Sequence, residues 1–367
     1  MRRLLSLLPP FSLPSVFLLA PPALADDVFL TDGSVHRDVQ VLEETIREVK
    51  WRKDRATTAK DAALVLRVRH DRTVAEWEEA LQALEAGAPE DAARLFRAAA
   101  ENERAARTEY AWLKPYGLYE AGEAFRAAGR IDEAIAAFDD LLKNHAGSRL
   151  APEAYRRKAM AQRLKGDAEG STRTLRALLA EVDAKGLADR WRHEATLDLL
   201  LVDASVSANE RRTKLVALLE TTGETAPTVA SRAKVELGNV YVAEKRYKDA
   251  RDYFEGIVKD PRGDRETVAG AFVGLGDCYF RNAGGFGDGA EKAGDYKRAL
   301  LAYLRVVTVY RSVSEYAGKA FLYAGRCFNL LGGPENQKRA QEQFARCMRE
   351  FPGTPWARDA ESELRGR

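Results

Sequence analysis

One spacing recurs along most of this 367-residue chain. A small residue is followed twelve positions later by another small one, and four positions after that by an aromatic or aliphatic one. Ala80, Ala92 and Phe96 keep this spacing, as do Gly122, Ala134 and Phe138, then Ala159, Ser171 and Leu175, then Gly238, Ala250 and Phe254. Gly276 and Ala299 stand apart by the same twelve plus an eleven-residue insertion, with Tyr303 four later; Gly325 and Ala340 stand apart by twelve plus three, with Phe344 four later. Turn residues fall inside the longer interval: Gly87-Ala88-Pro89, Gly129, Gly166-Asp167. The pattern describes an antiparallel helical hairpin whose two helices approach closely because the facing side chains are small. Such a hairpin does not bury its apolar face alone, so copies must stack. The expectation is a mainly α chain, with a solenoid of about six or seven hairpins over residues 73–353 and a capping helix over 354–367. Residues 187–222 carry two amphipathic stretches but no clean small–small pair, which marks the weakest joint.

Residues 26–72 obey another period. Val28 and Leu30, Val39 and Val41, Val49 and Trp51, and Leu64, Leu66 and Val68 each alternate with their neighbours, and Asp32-Gly33 is a tight-turn signal. Four or five short strands follow. Asp27-Val28-Phe29-Leu30-Thr31-Asp32-Gly33, with Val39-Gln40-Val41 and Glu48-Val49-Lys50-Trp51, resembles the opening of small SH3-like or Sm-like barrels. So small a unit buries little apolar area and is expected to pack on the helices after it.

Residues 1–25 differ from all that follows. Arg2 and Arg3 precede an apolar run from Leu4 to Leu19, and Ala23-Leu24-Ala25 precedes Asp26 and Asp27. This is the layout of a cleaved secretory signal; an uncleaved membrane anchor is the alternative, against which Pro9, Pro10 and Pro14 interrupt the run. The expected location is therefore exported, periplasmic or secreted, with no membrane span after cleavage. Arg2 and Arg3 are the only charges of that segment, so the remainder carries 56 basic against 56 acidic residues. That balance lacks the basic surplus of a nucleic-acid binder. Cys278, Cys327 and Cys347 match no zinc or redox spacing. They read as buried thiols acting as small apolar side chains.

No enzyme is expected, and no cofactor or metal. His36, His70, His145 and His193 form no helical metal pair, and no nucleophile-elbow, phosphate-loop or zinc-protease motif occurs. The glycine-rich stretch Asn282 to Ala290 has no following Lys-Ser/Thr and no preceding strand, so it reads as a loop on the rim of the array rather than a phosphate cradle.

Glu236-Leu237-Gly238-Asn239-Val240-Tyr241 with Tyr247-Lys248-Asp249-Ala250-Arg251-Asp252-Tyr253-Phe254, and Gly274-Leu275-Gly276-Asp277-Cys278-Tyr279 with Asp295-Tyr296-Lys297-Arg298-Ala299, resemble tetratricopeptide repeats. The resemblance covers about 73–365. It implies a noncatalytic protein-interaction scaffold whose first helices line a concave face. Outward positions there are Tyr116, Tyr119, Arg126, Arg156, Arg163, Arg232, Asn239, Asp277, Arg281, Arg326 and Asn329, and arginine and aromatic side chains are the usual anchors of interfaces. The junctions Glu350-Phe351-Pro352-Gly353-Thr354-Pro355-Trp356-Ala357 and Asn144-His145-Ala146-Gly147-Ser148-Arg149-Leu150-Ala151 resemble those of bacterial envelope repeat proteins, the outer-membrane assembly lipoprotein and the Tol–Pal-linked cell-division coordinator among them. A protein or peptide partner in the envelope is implied. Two alternatives remain. One is an accessory subunit of an envelope enzyme or a cryptic hydrolase using the β unit, favoured by a cleft with convergent perturbed carboxylates near 26–72 and disfavoured by a filled barrel. The other is a glycan or peptidoglycan binder, favoured by Trp51, Trp77 and Trp112 exposed on one face.

Overall fold

The computed structural model describes residues 25–366 apart from 204, 224, 225, 262 and 286–288. The expected leader thus lies, except for Ala25, outside the described residues. The Asp32–Gly33 step turns β1 (Asp26–Leu30) into β2 (Val35–Glu44): Gly33 takes φ +87°, and the Asp32 carboxylate accepts the Ser34 amide at 2.8 Å. β3 (Glu48–Lys53), β4 (Ala56–Asp61), a 3₁₀ turn over Ala62–Leu64 and β5 (Val65–Arg69) follow, and the antiparallel sheet runs β4-β3-β2-β1-β5. The alternation within β5 is not the one expected. Pairing with β1 slips by one residue between Phe29↔Arg67 and Leu30↔Val65, so Leu66 is the extra residue of a bulge. The slip turns Val65 inward with Val68 and leaves Leu64 and Leu66 49% and 66% exposed.

Fifteen helices follow among the described residues. Fourteen make seven hairpins: α1 (Ala75–Glu85) with α2 (Pro89–Glu101), α3 (Leu113–Ala127) with α4 (Ile131–Asn144), α5 (Ala151–Lys165) with α6 (Ala168–Lys185), α7 (Asp189–Val202) with α8 (Ala208–Thr222), α9 (Pro227–Ala243) with α10 (Tyr247–Lys259), α11 (Arg265–Ala283) with α12 (Gly289–Val309), and α13 (Ser314–Leu331) with α14 (Pro334–Glu350). The last, α15 (Pro355–Arg365), packs on α13 and α14. Proline sits in the first turn of α2, α5, α9, α14 and α15, where its missing N–H removes no helical bond. The glycine-rich insertion differs from the loop expected. α11 runs on to Ala283 and α12 resumes at Gly289, so most of the added residues lengthen the two helices, tied by Asn282 donating to Asp295 at 2.6 Å.

The recurring spacing has a specific steric meaning. At the glycine positions the small residue of the first helix makes room for the ring one turn further along the second; in the third hairpin the two small residues also meet, Ser171 donating to the Ala159 carbonyl at 2.8 Å. A Cβ added to Gly122 would lie 2.6 Å from the Phe138 ring, and one on Gly276 would lie 2.5 Å from the Tyr303 ring. Gly238 faces Phe254 and Gly325 faces Phe344 in the same way. Phe96, Phe138, Phe254, Tyr303 and Phe344 are fully buried. Phe254 also fills the space a side chain on Gly274 would take, so one ring is seated between glycines of two successive hairpins. Cys278, Cys327 and Cys347 are free and buried, and burial pushes the Cys278 and Cys347 thiols up to about 12.

The β unit shares one core with the early hairpins: Val28, Val39, Val49, Trp51, Val65 and Val68 are continuous with Phe96, Tyr116, Phe138 and Leu150. The Ile46 amide donates to the Gly147 carbonyl at 2.7 Å, and Arg190 of α7 donates to the Ala63 carbonyl at 2.7 Å. The far end of the array returns to the start. A Cβ on Gly129, in the α3–α4 turn, would lie 2.8 Å from the Gly353 nitrogen between α14 and α15, and Arg358 donates to the Leu164 carbonyl at 3.4 Å. Gly129 and Gly353 have φ +76° and +71°, so both the approach and the backbone conformation favour glycine.

Two measurements check this packing. Phe254→Ala is expected to cost about 3–5 kcal/mol in urea unfolding. Gly238→Ala is expected to destabilise as well, and a shorter side chain in Gly238→Ala/Phe254→Leu to recover part of that loss; strictly additive effects would contradict the ring-seat account. Gly129→Ala is expected to cost more in urea unfolding than Gly166→Ala, whose φ is also positive but whose Cβ would meet nothing, and equal costs would show that the Gly129 and Gly353 turns do not meet.

Candidate functional site on the concave face

The first helices α3, α5, α7, α9 and α11 contribute to one concave wall, and the β unit closes part of it through Ala62, Val65 and Leu66. The cavity so formed measures about 700 Å³. Its floor is an ion-pair network. Arg156 of α5 lies 2.9 Å from Glu153, 2.9 Å from Glu194 and 2.8 Å from Asp198. Arg232 of α9 lies 2.8 Å from Glu194 and 2.6 Å from Asp198. Glu194 and Asp198 stand one helical turn apart on α7, so both point to the same side. They clamp α7 between its neighbours. Burial alone would raise the Asp198 carboxyl, but the two arginines outweigh it and hold its pKa at about 2. Burial likewise opposes the charge on Glu153, and Arg156 and Arg157 bring its pKa below the usual value.

This clamp coincides with the irregular hairpin. α7 and α8 pack on each other sparsely, with no glycine–ring seat. Leu197, Leu200, Leu215 and Leu218 instead join Val229, Ala233 and Leu237 of α9.

Of the residues expected on the concave face, Tyr119, Arg126, Arg156, Arg163 and Arg232 line this cavity together. Arg126 pairs with Glu123 at 2.9 Å. The others lie elsewhere. Tyr116 is 7% exposed beneath the β unit. Asp277 is buried, accepting from the Tyr303 hydroxyl at 2.7 Å and pairing with Lys319, so it fastens α11 to α12 and α13. Arg326 is taken by α15, 2.7 Å from Glu363 and 3.1 Å from Asp359. Asn239 donates to Glu236 within its own helix at 3.2 Å. Arg281 is exposed near the end of α11, and the Asn329 side-chain oxygen is buried. Neither they nor Asn239 line the cavity. The three tryptophans do not make an exposed face: Trp51 is 1% exposed in the sheet core, Trp77 packs edge-on to Phe96 and Trp112 with centroids 4.9 Å away, and Trp112 stacks on His70 at 4.3 Å.

A second polar cluster lies where the β unit meets α3 and the α4–α5 turn. His70 Nε2 is 2.7 Å from Glu44, and Nδ1 is 3.7 Å from Asp26. Glu44 also accepts from Tyr116 at 2.6 Å and from Arg149 Nε at 2.8 Å. Burial opposes the charge on both partners. It is overridden: His70 and Arg149 hold the Glu44 carboxyl at about 2, and Asp26 and Glu44 raise the His70 imidazole above its ordinary value. Sequence reading left His70 without a partner because its carboxylates come from β1 and β2. The cluster borders a cleft of about 1200 Å³. Its acid, imidazole, phenol and guanidinium are committed to one another, as in a structural joint. Glu120, by contrast, is raised to about 7 by burial and by Glu123 beside it.

Residues 119–184, from within α3 to near the end of α6, match the tetratricopeptide repeat family model. The chain as a whole is an α-solenoid of helical hairpins preceded by a five-stranded β unit, and within it residues 119–184 match a repeat family whose members are generally protein-interaction scaffolds. Among solved structures, it is similar to a tetratricopeptide repeat protein from Parabacteroides merdae (16% identity, 78% of this chain and 97% of that one, TM-score 0.46). It is also similar to a signal-transduction ATPase with a tetratricopeptide repeat sensor from Pyrococcus horikoshii (13% identity, 79% of this chain and 47% of that one, TM-score 0.41), and to a repeat protein from Bacteroides fragilis (13% identity, 79% and 96%, TM-score 0.24). No curated protein matches the sequence. No helix among the described residues is long and apolar enough to cross a membrane.

The carboxylates and the imidazole of these clusters give stability opposite dependences on pH. Asp198 and Glu44 have folded pKa values below their ordinary 3.8 and 4.5, so their contribution is present above that range and lost as pH falls toward 2. His70 is raised above 6.5, so its contribution is present below that value and lost as pH rises through the folded pKa. Asp198→Asn, which strips a largely buried carboxylate from two arginines, is expected to cost about 3 kcal/mol at neutral pH and to flatten the acid limb of a urea-midpoint profile. His70→Gln is expected to flatten the alkaline limb and, because His70 helps hold the Glu44 and Asp26 carboxyls low, to shorten the acid limb as well. Unchanged limbs in these variants would contradict the assignments.

Proposed function

We propose that this protein is a noncatalytic interaction scaffold of the bacterial cell envelope, exported by its N-terminal leader and binding a protein segment in the concave cavity. The carrying observation is the cavity itself. Consecutive first helices converge on one open space, where Tyr119, Arg126 and Arg163 stand beside Met160 and Leu201. A concave, largely preformed site with a few convergent polar groups is the form binding sites take. Export is supported by the arrangement of Arg2-Arg3, the apolar run and Ala23-Leu24-Ala25, and the envelope by the junctions around Pro352 and Ser148. The noncatalytic reading is supported by the charged groups of both clusters being spent on one another across helix and strand boundaries.

The test has two parts. Expressed with its leader in a Gram-negative host, the protein is expected in the osmotic-shock fraction with Asp26 at its N-terminus by mass spectrometry; retention in the cytoplasm with Met1 intact would refute export. Chemical cross-linking in the envelope is expected to place partner peptides on residues of the cavity wall, with recovery reduced by Arg163→Glu. Arg232 and Arg326 are unsuitable probes, since each is held in an internal ion pair.

A further inference from the structure

We infer that the cavity receives an acidic, partly apolar protein segment, held by Arg163, Arg190 and Arg265; this deepens the scaffold reading and rests on it. Eight arginines line the cavity against four carboxylates. Five of the eight are already matched. Arg126 has Glu123 and Arg149 has Glu44, at 2.9 and 2.8 Å. Arg156, Arg157 and Arg232 share Glu153, Glu194 and Asp198 on the floor.

The other three differ in kind. Arg163, near the end of α5, is exposed and has no hydrogen-bond or ion-pair partner among the described residues. Arg190, at the start of α7, donates one N–H to the Ala63 carbonyl at 2.7 Å and lies 5.0 Å over the Trp191 ring. Arg265, opening α11, donates to the Val309 carbonyl at 2.8 Å and lies 5.3 Å over the Tyr310 ring. Those partners are neutral. They orient the guanidinium and leave most of its five donors unused. No carboxylate pairs directly with any of the three among the described residues, although Arg190 lies close enough to Glu153 to help hold its carboxyl low. The fourth carboxylate of the wall, Glu266, makes interactions of its own, so the cavity keeps a positive excess in a chain that is formally balanced outside its leader.

The occupant follows from what lies between these arginines. Leu66, 66% exposed from the β5 bulge, shares the wall with Met160, Leu201 and Val313. A free anion would leave that apolar surface wet. A peptide with carboxylates interspersed among aliphatic side chains would cover it, and a space of about 700 Å³ suits a short stretch of one. A phosphate backbone carries no aliphatic side chains to cover that surface, and the chain outside its leader lacks the basic surplus of a nucleic-acid binder. The three arginines stand on α5, α7 and α11, so the site exists only while the superhelix holds those helices around one space.

The experiment uses the leader-cleaved full chain and fluorescence anisotropy. The probe is a dye-labelled glutamate-rich peptide with leucine at every third position; its glutamine counterpart, inorganic phosphate and oligothymidylate serve as competitors. Saturable binding of the glutamate peptide is expected, weakened by salt and resisted by all three competitors. Arg163→Gln is expected to weaken it about tenfold, the loss of one charged hydrogen bond. Arg163 has no structural partner, so its circular dichroism melt should match wild type. Arg265→Gln serves as a second variant.

Three results would overturn the inference: equal binding of the glutamine peptide, displacement by phosphate or oligothymidylate at the peptide's own concentration, or wild-type affinity in both variants. If envelope partners still cross-link to the cavity of Arg163→Gln/Arg190→Gln/Arg265→Gln as they do to wild type, the acidic segment is refuted while the scaffold stands. Loss of cross-linking in that variant, with the melt retained, supports both.

Discussion

The seating of an aromatic ring against glycine is the contact on which the array depends. Phe138, Phe254, Tyr303 and Phe344 each enter the interior because the first helix of their own hairpin presents Gly122, Gly238, Gly276 or Gly325 where any side chain would collide. Gly274 then admits Phe254 from the next hairpin, so a single ring ties a repeat to itself and to its successor. Dense packing of this kind leaves little room for alternative spacing between helices. It sets how closely the helices of those hairpins approach, and the stacked first helices share one concave wall.

Where the seat is missing, charge takes its place. α7 and α8 lack the glycine–ring pair and pack loosely. α7 is held instead by Glu194 and Asp198 against Arg156 and Arg232. Such a joint is directional and specifies register, but it gives up solvation that an apolar seat does not. The β unit is fastened by the same logic, with His70, Glu44, Tyr116 and Arg149 closing its edge against α3 and the α4–α5 turn. The solenoid therefore has an apolar framework with electrostatic joints at α7 and at the β unit, and both joints carry groups whose shifted pKa values tie stability to pH.

Those joints also shape the cavity. The β unit brings Ala62, Val65 and Leu66 to the concave side, and the return of the Gly353 turn to Gly129 holds the superhelix round. An open groove becomes a bounded space, lined by arginines from separate repeats. In the function proposed above, the residues that bind are those left over once the structural ion pairs have been made.

Much of this was legible in the chain. The twelve-and-four spacing set the hairpins, their turns and the irregular unit, because close helix packing tolerates few residue types and so leaves a periodic trace. Val28, Val39, Val49 and Trp51 set the strands for the same reason. The pairing of charges left no such trace. Glu194 and Asp198 are two carboxylates one turn apart, and nothing local says that arginines 38 and 42 positions away meet them. Arg232 and Arg326 looked alike in sequence, yet one anchors α7 and the other is taken by α15. His70 looked isolated because its partners lie on other strands. The one-residue slip in β5, which exposes Leu66 to the cavity, depends on pairing with β1 and not on β5 itself. Steric fit between neighbours is written in residue size at short range; which charges remain free is decided only when distant helices have closed around a common space.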